Sequence, residues 1–208
     1  IQHLFFEEIS PKFDEKALKH LMNTFYIFFE KIFFRFELVS TFYLRLYNEI
    51  TDNEIELANI QSTDKVLVIG SGSLPATAEL IVRKTNAHVS GIDRDYQAAM
   101  RGKEYAKQHH LESKLHIIHS DGAKFDVSSY DVIFVLYGIQ GESELFSTIA
   151  GQMKNHARII YRQPYDPGFS ITSLPEFISE YFIVKNHKIS PSLGSIISLV
   201  FEKKEKNR

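Results

Sequence analysis

The residues best suited to chemistry are six in a row, Gly70-Ser71-Gly72-Ser73-Leu74-Pro75, followed by an acid, Asp93, 23 positions after the first glycine. Two glycines one residue apart let a backbone approach a ligand closely, and the amides that open the following helix face an anion. Pro75 suits the first turn of that helix, where its missing N–H costs nothing. A carboxylate at the end of the next strand, Val89-Ser90-Gly91-Ile92, can accept from both hydroxyls of a ribose. Taken alone, Gly-x-Gly is a sharp turn, and Asp93 could instead cap the helix that begins after Asp95. Together, in strand–loop–helix order, they point to a nucleotide-type site. The third glycine of the dinucleotide fingerprint is absent, because Pro75 stands in its place. The expected cofactor therefore shifts from a nicotinamide dinucleotide to S-adenosylmethionine, with its amino-acid end at Gly70, Ser71, Gly72, Leu74 and Pro75.

Other candidates fall at regular intervals further along. In His119-Ser120-Asp121-Gly122-Ala123 the Asp121 carboxylate could accept from the exocyclic amine of adenine, with a plain turn at Asp121-Gly122 as the competing reading. Tyr137, in Leu136-Tyr137-Gly138-Ile139-Gln140-Gly141, is placed to touch the transferred group. That loop lacks the Asn-Pro-Pro-aromatic sequence of nucleic-acid amino-methyltransferases. Arg162 could hold a carboxylate of donor or acceptor by a bidentate contact. Nine histidines raise the question of a metal, but His116 and His119 are three apart on a strand and so diverge, and no third ligand stands at metal spacing. No protein-bound metal is expected.

These residues need a sheet to bring them together. Lys65-Val66-Leu67-Val68-Ile69 is a short β-branched run ending in glycine, as a buried parallel strand should be. Strands are expected at 65–69, 88–92, 115–119, 130–136 and 157–162, with helices near 75–84, 95–109 and 142–153. A closing antiparallel pair is expected at Tyr181–Val184 and Ile196–Glu202. Ligands on such sheets lie at the carboxyl ends of the strands, here the loops after Ile69, Ile92, His119, Leu136 and Tyr161. The fold class is therefore α/β, Rossmann-like, as in class I S-adenosylmethionine-dependent transferases. Before it, apolar residues at helical spacing from Asp14 to about Leu38 and from Phe42 to Ile60 predict a helical cap. The expected division is a cap over 1–60 and a catalytic domain over 61–208.

With 208 residues, 44% of them apolar, and a net charge of -2, the chain offers one full core and no basic field for a phosphodiester backbone. Nucleic acid is disfavoured as a partner. Its longest apolar stretch, Phe25 to Val39, is broken by Glu30, Lys31, Arg35 and Glu37, so neither a signal peptide nor a membrane span is read there, and a cytoplasmic place is expected. The absence of cysteine leaves the redox compartment unread. The chain starts at Ile1 and enters aromatic sequence at once, as a piece of a longer protein would.

The loop Gly70 to Pro75 resembles the Gly-Ser-Gly-Pro-Leu-Pro signature of nicotianamine synthases. The likeness extends to Arg158-Ile159-Ile160-Tyr161-Arg162 and to Ser192-Leu193-Gly194-Ser195 before the last strand, covering about 60 to 202. It is closest to the bacterial branch that makes staphylopine-type metallophores. The resemblance implies transfer of the aminobutyrate arm of S-adenosylmethionine to the amine of an amino acid, histidine (D-histidine in that branch), with release of methylthioadenosine. It also implies a cap-helix glutamate and a tyrosine in an aromatic-Tyr-Leu-x-Leu sequence beside the reacting amine. Glu30, in Phe28-Phe29-Glu30-Lys31, and Tyr43, in Phe42-Tyr43-Leu44-Arg45-Leu46, match those places as catalytic and substrate-binding residues, with Arg162 as a further substrate contact. Their separation of 13 residues is shorter than the family's. An opine-type dehydrogenase acting downstream and a homodimer are the partners left open. Two rival readings share every cofactor residue: a conventional small-molecule methyltransferase and a non-catalytic cofactor-binding module.

Overall fold

The computed structural model describes residues 37–191 and 195–204, with side chains from Tyr43 onward. The chain divides into two compact units, Ile1–Thr41 and Phe42–Arg208, and the sheet belongs to the second. Helix α1 (Glu37–Ala58) leads to β1 (Lys65–Ile69), α2 (Ala76–Thr85), β2 (His88–Asp93), α3 (Tyr96–Gln108) and β3 (Leu115–His119). Then follow β4 (Val132–Val135), α4 (Glu142–Gln152), β5 (Arg158–Pro164), α5 (Glu176–Ser179), β6 (Phe182–Ser190) and β7 (Ile196–Lys203). The seven strands lie in the order β3-β2-β1-β4-β5-β7-β6. β1 to β5 are parallel, and β7 runs antiparallel between β5 and β6. The order reverses between β1 and β4, which opens a crevice at their carboxyl ends.

The expected elements lie within a few residues of these bounds, with two informative departures. β6 runs to Ser190, six residues past the expected Val184, and its added stretch Lys185-Asn186-His187-Lys188-Ile189-Ser190 is mostly polar. An edge strand needs only one neighbour for its backbone, and charge on it discourages further pairing, so no apolar alternation marks it. Helix α1 already includes Glu37, the first described residue, whereas a helix was expected from Phe42. The helix expected from Asp14 falls almost wholly outside the described residues, as do Glu30 and Ser192, Leu193 and Gly194.

Alternation along each central strand divides the core into two layers. Leu67, Ile69, Ile133, Val135, Ile159 and Tyr161 face the α4 side, while Val66, Val68, Val132, Phe134 and Ile160 face the side covered by α1, α2 and α3. Arg162 follows Tyr161 and so turns to the second face, where it is 3% exposed. Its register partner on β7 is Ser198. Both meet Glu54 of α1, which is fully buried: Arg162 donates Nε to Oε1 (2.8 Å) and NH2 to Oε2 (2.5 Å), and the Ser198 hydroxyl donates to Oε1 (2.7 Å). Lower on the same strand, Arg158 donates to the Ala58 carbonyl (2.8 Å) and to Asp64 (2.9 Å). Helix α1 therefore runs antiparallel to β5, with its carboxyl end at the foot of the strand.

Removing one partner of a buried pair strands the other charge, at a cost of about 3–5 kcal/mol. Glu54→Ala should lose that much in urea unfolding, whereas Glu56→Ala, which breaks the exposed pair with Lys188, should change stability by less than about 0.5 kcal/mol. A Glu54→Ala protein as stable as the parent would show that the pair does not hold the helix.

Candidate functional site

The loop after β1 is fixed from two sides. Gly70 N and Ser71 N both donate to the Ile92 carbonyl at the end of β2 (2.8 and 3.0 Å). Gly70 (φ +83°) and Gly72 (φ +69°) occupy left-handed backbone that L side chains avoid. Gly72 N donates to Asp93 Oδ2 (2.9 Å), and Asp93 Oδ1 accepts from Asp95 N (2.9 Å). Asp95, not Asp93, caps α3, accepting from Gln97 N and Ala98 N. A carboxylate carries about four lone-pair sites, so these two contacts set the orientation of Asp93 and leave acceptor capacity for a diol. The Ser71 side chain, buried with no hydrogen-bond partner among the described residues, lies where a Cβ on Gly91 would meet it at 2.9 Å.

Two further residues hold this loop from beneath, and the sequence reading passed over both. A Cβ on Gly102 of α3 would stand 3.0 Å from the Gly72 carbonyl, so the helix reaches the loop only through a glycine. Glu79 of α2, fully buried, accepts from the Tyr105 hydroxyl of α3 (2.6 Å) and from Arg83 Nε (2.6 Å), tying the two helices together. The clue was a glutamate inside the apolar run Ala76-Thr77-Ala78-Glu79-Leu80-Ile81-Val82.

At the end of β3, Asp121 caps a single turn at Gly122–Lys124 by accepting from Ala123 N (3.1 Å). The turn alternative is thus present, and one of the two carboxylate oxygens is committed to it. Gly122 packs where a Cβ would meet Ile69 at 2.8 Å, and the Ala123 carbonyl accepts from Thr148 (3.0 Å). The loop after β4 turns at Gly138 (φ +89°) and Gly141 (φ +76°), lays Ile139 against Gly70 and joins the loop after β2 through Arg94 NH2 to Gln140 Oε1 (2.7 Å). Leu74 and Pro75 are buried at the start of α2.

The remaining groups cluster at the end of β5. On one face, Arg162 lies under the ring of Tyr47, its guanidinium carbon 5.4 Å from the centroid. The Tyr43 hydroxyl donates to that of Tyr47 (3.3 Å), with the rings 4.7 Å apart. Burial works against the Arg162 charge, but the Glu54 carboxylate outweighs it and holds the guanidinium above its usual value. Arg162 and Tyr43 are thus brought together, while the fork of Arg162 is spent on Glu54. On the opposite face, the Tyr161 hydroxyl donates to Glu142 Oε1 (3.0 Å), and Tyr137 lies near the same carboxylate. Burial, then the Glu142 charge, raises the phenols of both Tyr161 and Tyr137. Glu142 carried no signal in the sequence beyond being the first residue of α4. Among the described residues, no group of three or more histidine, aspartate and glutamate side chains could hold a metal ion.

Raised folded-state values mean that these two phenols stay protonated while an unfolded chain ionises near pH 10. Their contribution to stability should be complete below that pH and fade as it rises further. Wild-type unfolding midpoints should fall more steeply above about pH 10 than those of Tyr161→Phe. Parallel curves would show that Tyr161 is not held in this way.

L-histidine 2-aminobutanoyltransferase of Yersinia pestis is 37% identical over 76 residues, 36% of this chain and 29% of that protein. The enzyme of the same name from Pseudomonas aeruginosa (strain UCBPP-PA14) is 27% identical over 121 residues, 58% of this chain and 46% of that protein. The chain thus spans less than half the length of the curated relatives it matches. Among solved structures, a mutant of MtNAS, a nicotianamine synthase, in complex with S-adenosylmethionine superposes with TM-score 0.75 at 18% identity, over 91% of this chain and 76% of that one. MtNAS in complex with MTA and tNA gives 0.70 at 20%, over 81% and 64%. These likenesses show the fold, and the fold is the Rossmann-like one expected. Residues 49–161, more than half of the chain and the stretch from α1 to Tyr161, match the model described as Protein-L-isoaspartate(D-aspartate) O-methyltransferase (PCMT), and the chain belongs to that family.

Proposed function

We propose that the chain binds S-adenosylmethionine at the carboxyl ends of β1 and β2 and transfers its aminobutyrate (3-amino-3-carboxypropyl) arm to the amine of an amino acid, histidine by the names of its relatives. The observation that carries the reading is the Asp93 carboxylate held by Gly72 N beside two left-handed glycines. That arrangement supplies an oriented acceptor for a ribose and an open backbone for a charged amino-acid end. The donors and acceptors present fit the group.

Bound there, the cofactor supplies a sulfonium whose three carbons are all activated, and the protein selects one by aligning it with the nucleophile. An acceptor ammonium must lose its proton before its nitrogen displaces the sulfur at the methylene carbon, the carbon–nitrogen bond forming as the carbon–sulfur bond breaks, and methylthioadenosine leaves. Tyr43, whose hydroxyl meets that of Tyr47 above the Arg162 guanidinium, is one candidate to take that proton, as the resemblance implies. Glu30, which lies outside the described residues, is the other, and the resemblance alone supports it. The division into a cap over 1–60 and a catalytic domain over 61–208 belongs to the same reading. So do a cytoplasmic place, a homodimer and a downstream opine-type dehydrogenase. No helix among the described residues is long and apolar enough to cross a membrane.

The family's description favours a second reading, methyl transfer to a carboxylate oxygen. The products separate the two: mass spectrometry of a reaction with histidine should show methylthioadenosine, and S-adenosylhomocysteine as the only product would favour methyl transfer. Glu30→Gln should lower turnover by about 10²–10⁴-fold with the cofactor still bound, as for a lost general base, whereas undiminished turnover would leave Tyr43 as the base. The cofactor site has its own test by calorimetry. Asp93→Ala should weaken S-adenosylmethionine binding about ten- to a hundredfold, the worth of a charge-assisted hydrogen bond, and Gly72→Val should abolish it. Unchanged binding in both variants would place the cofactor elsewhere.

A further inference from the structure

The glycine loop spends its leading donors on the protein itself. Gly70 N and Ser71 N donate to the Ile92 carbonyl, and Gly72 N donates to Asp93. These amides already have acceptors, so the carboxylate at the amino-acid end of S-adenosylmethionine needs a donor from elsewhere. Arg162, a candidate for that part, is 3% exposed and spends its fork on Glu54. Arg94 is differently placed. It follows Asp93, the last residue of β2, and its NH2 reaches Gln140 in the loop after β4 (2.7 Å). β1 lies between β2 and β4, and neighbouring strands stand about 4.8 Å apart, so this contact crosses the carboxyl end of β1, where the glycine loop begins. Ile139, the neighbour of Gln140, lies against Gly70 on the same crossing. The guanidinium is thus held across the mouth of the crevice.

Its charge has no opposite there. Among the described residues no carboxylate pairs with Arg94: Asp93 is bonded to Gly72 N and Asp95 N, and Asp95 to Gln97 N and Ala98 N. The side-chain partner it does have is the neutral amide of Gln140, which engages one nitrogen of the fork. A carboxylate takes two nitrogens at once, in a charge-assisted contact about twice as strong as a neutral one. We propose that Arg94 binds the carboxylate on the aminobutyrate arm of S-adenosylmethionine, exchanging Gln140 for it when the cofactor enters. Gln140 keeps the guanidinium across the mouth until then. The assignment rests on the placement of the cofactor at β1 and β2, and it holds whichever group is transferred, because the carboxylate is present in either case. It also separates the donor from methylthioadenosine, which has lost the arm. Arg94 strengthens the hold on the one and adds nothing to the hold on the other, so the spent adenosine leaves more readily than the donor.

Calorimetry on the full chain, with S-adenosylmethionine and separately with methylthioadenosine, tests this. Arg94→Met should weaken S-adenosylmethionine about tenfold or more and leave methylthioadenosine within about twofold of the parent, which also reports that the variant is folded. Arg94→Lys should recover part of the loss. Gln140→Glu should set an ion pair with Arg94 in competition with the arm, and so weaken S-adenosylmethionine alone. Equal losses of both ligands in Arg94→Met would overturn the assignment and give Arg94 to the adenosine, whereas affinity for S-adenosylmethionine within about twofold of the parent would make it a solvated surface cation. Asp93→Ala keeps the two readings apart. If it weakens both ligands while Arg94→Met weakens neither, the cofactor stands where proposed and only the role of Arg94 falls; if it weakens neither, the placement of the cofactor falls and takes the assignment with it.

Discussion

The buried pair of Glu54 and Arg162 is the constraint on which the upper half of the site depends. Two opposite charges taken out of water gain stability only when the geometry is good and the remaining polar atoms are satisfied. Here the contact is bidentate and Ser198 supplies a third hydrogen bond, so Glu54 has one low-energy position along β5. That sets the height of α1 against the sheet. A helix rises about 1.5 Å per residue, so Tyr47 stands roughly 10 Å beyond Glu54, and Tyr43 a further turn beyond that, both toward the carboxyl ends of the strands. Arg162 reaches the Tyr47 ring from below and completes the alignment. A slip of α1 by one turn would break all three hydrogen bonds, and the phenols would lose both their place and their neighbouring cation.

The cofactor half rests on a different device, built from backbone and a single acid. Asp93 spans the loops after β1 and β2, and the interhelical bond between Tyr105 and Glu79 keeps Gly102 pressed against the Gly72 carbonyl. Gly102 belongs with the visible glycines of the loop, since a Cβ there would crowd the Gly72 carbonyl at 3.0 Å and one of the two would have to give by a few tenths of an ångström. The two halves are joined above the crevice by Arg94 and Gln140, and between the strands by the register of β1 with β4.

Much of this was legible in the sequence because the signals are local. A β-branched run ending in glycines makes β1 and its loop plain, and an acid at the end of the next strand follows from the same pattern. Pairing across the fold was not legible in the same way. Glu54 stands among Glu49, Asp52 and Glu56 in α1, and only its position four residues after Ile50 and four before Ala58, both buried, sets it apart. Arg162 looked available for a ligand because a strand-end arginine says nothing of a carboxylate 108 residues earlier. Asp93 and Asp95 could exchange roles on paper. The backbone decides between them, giving the helix cap to Asp95 and the loop to Asp93. β6 escaped notice in its polar half because an edge strand is defined by its neighbour's hydrogen bonds, which leave no mark on its own side-chain pattern.

The boundary of the family match, at Tyr161, falls between two residues that point to opposite faces of β5. Up to that point the chain consists mainly of what any protein using this sheet to hold an activated adenosine needs: a left-handed glycine loop, an acid on the second strand, and helices pinned close beneath. These demands come from the cofactor and are the same whichever group is transferred. The acceptor makes separate demands, on charge, hydrogen-bond polarity and the proton to be removed. On the proposed reading, the side chains that would meet them stand at the top of α1, where Tyr43 lies, and at the end of β5. Those of β5 are held by partners distant in sequence: Arg162 by Glu54, Tyr161 by Glu142. Changing the acceptor therefore requires exchange of side chains already locked by such pairs, whereas the cofactor frame can stay as it is. A frame described for one transfer can in this way carry another, and on the proposed reading the choice between them falls to side chains near the end of β5, where Tyr161 and Arg162 diverge.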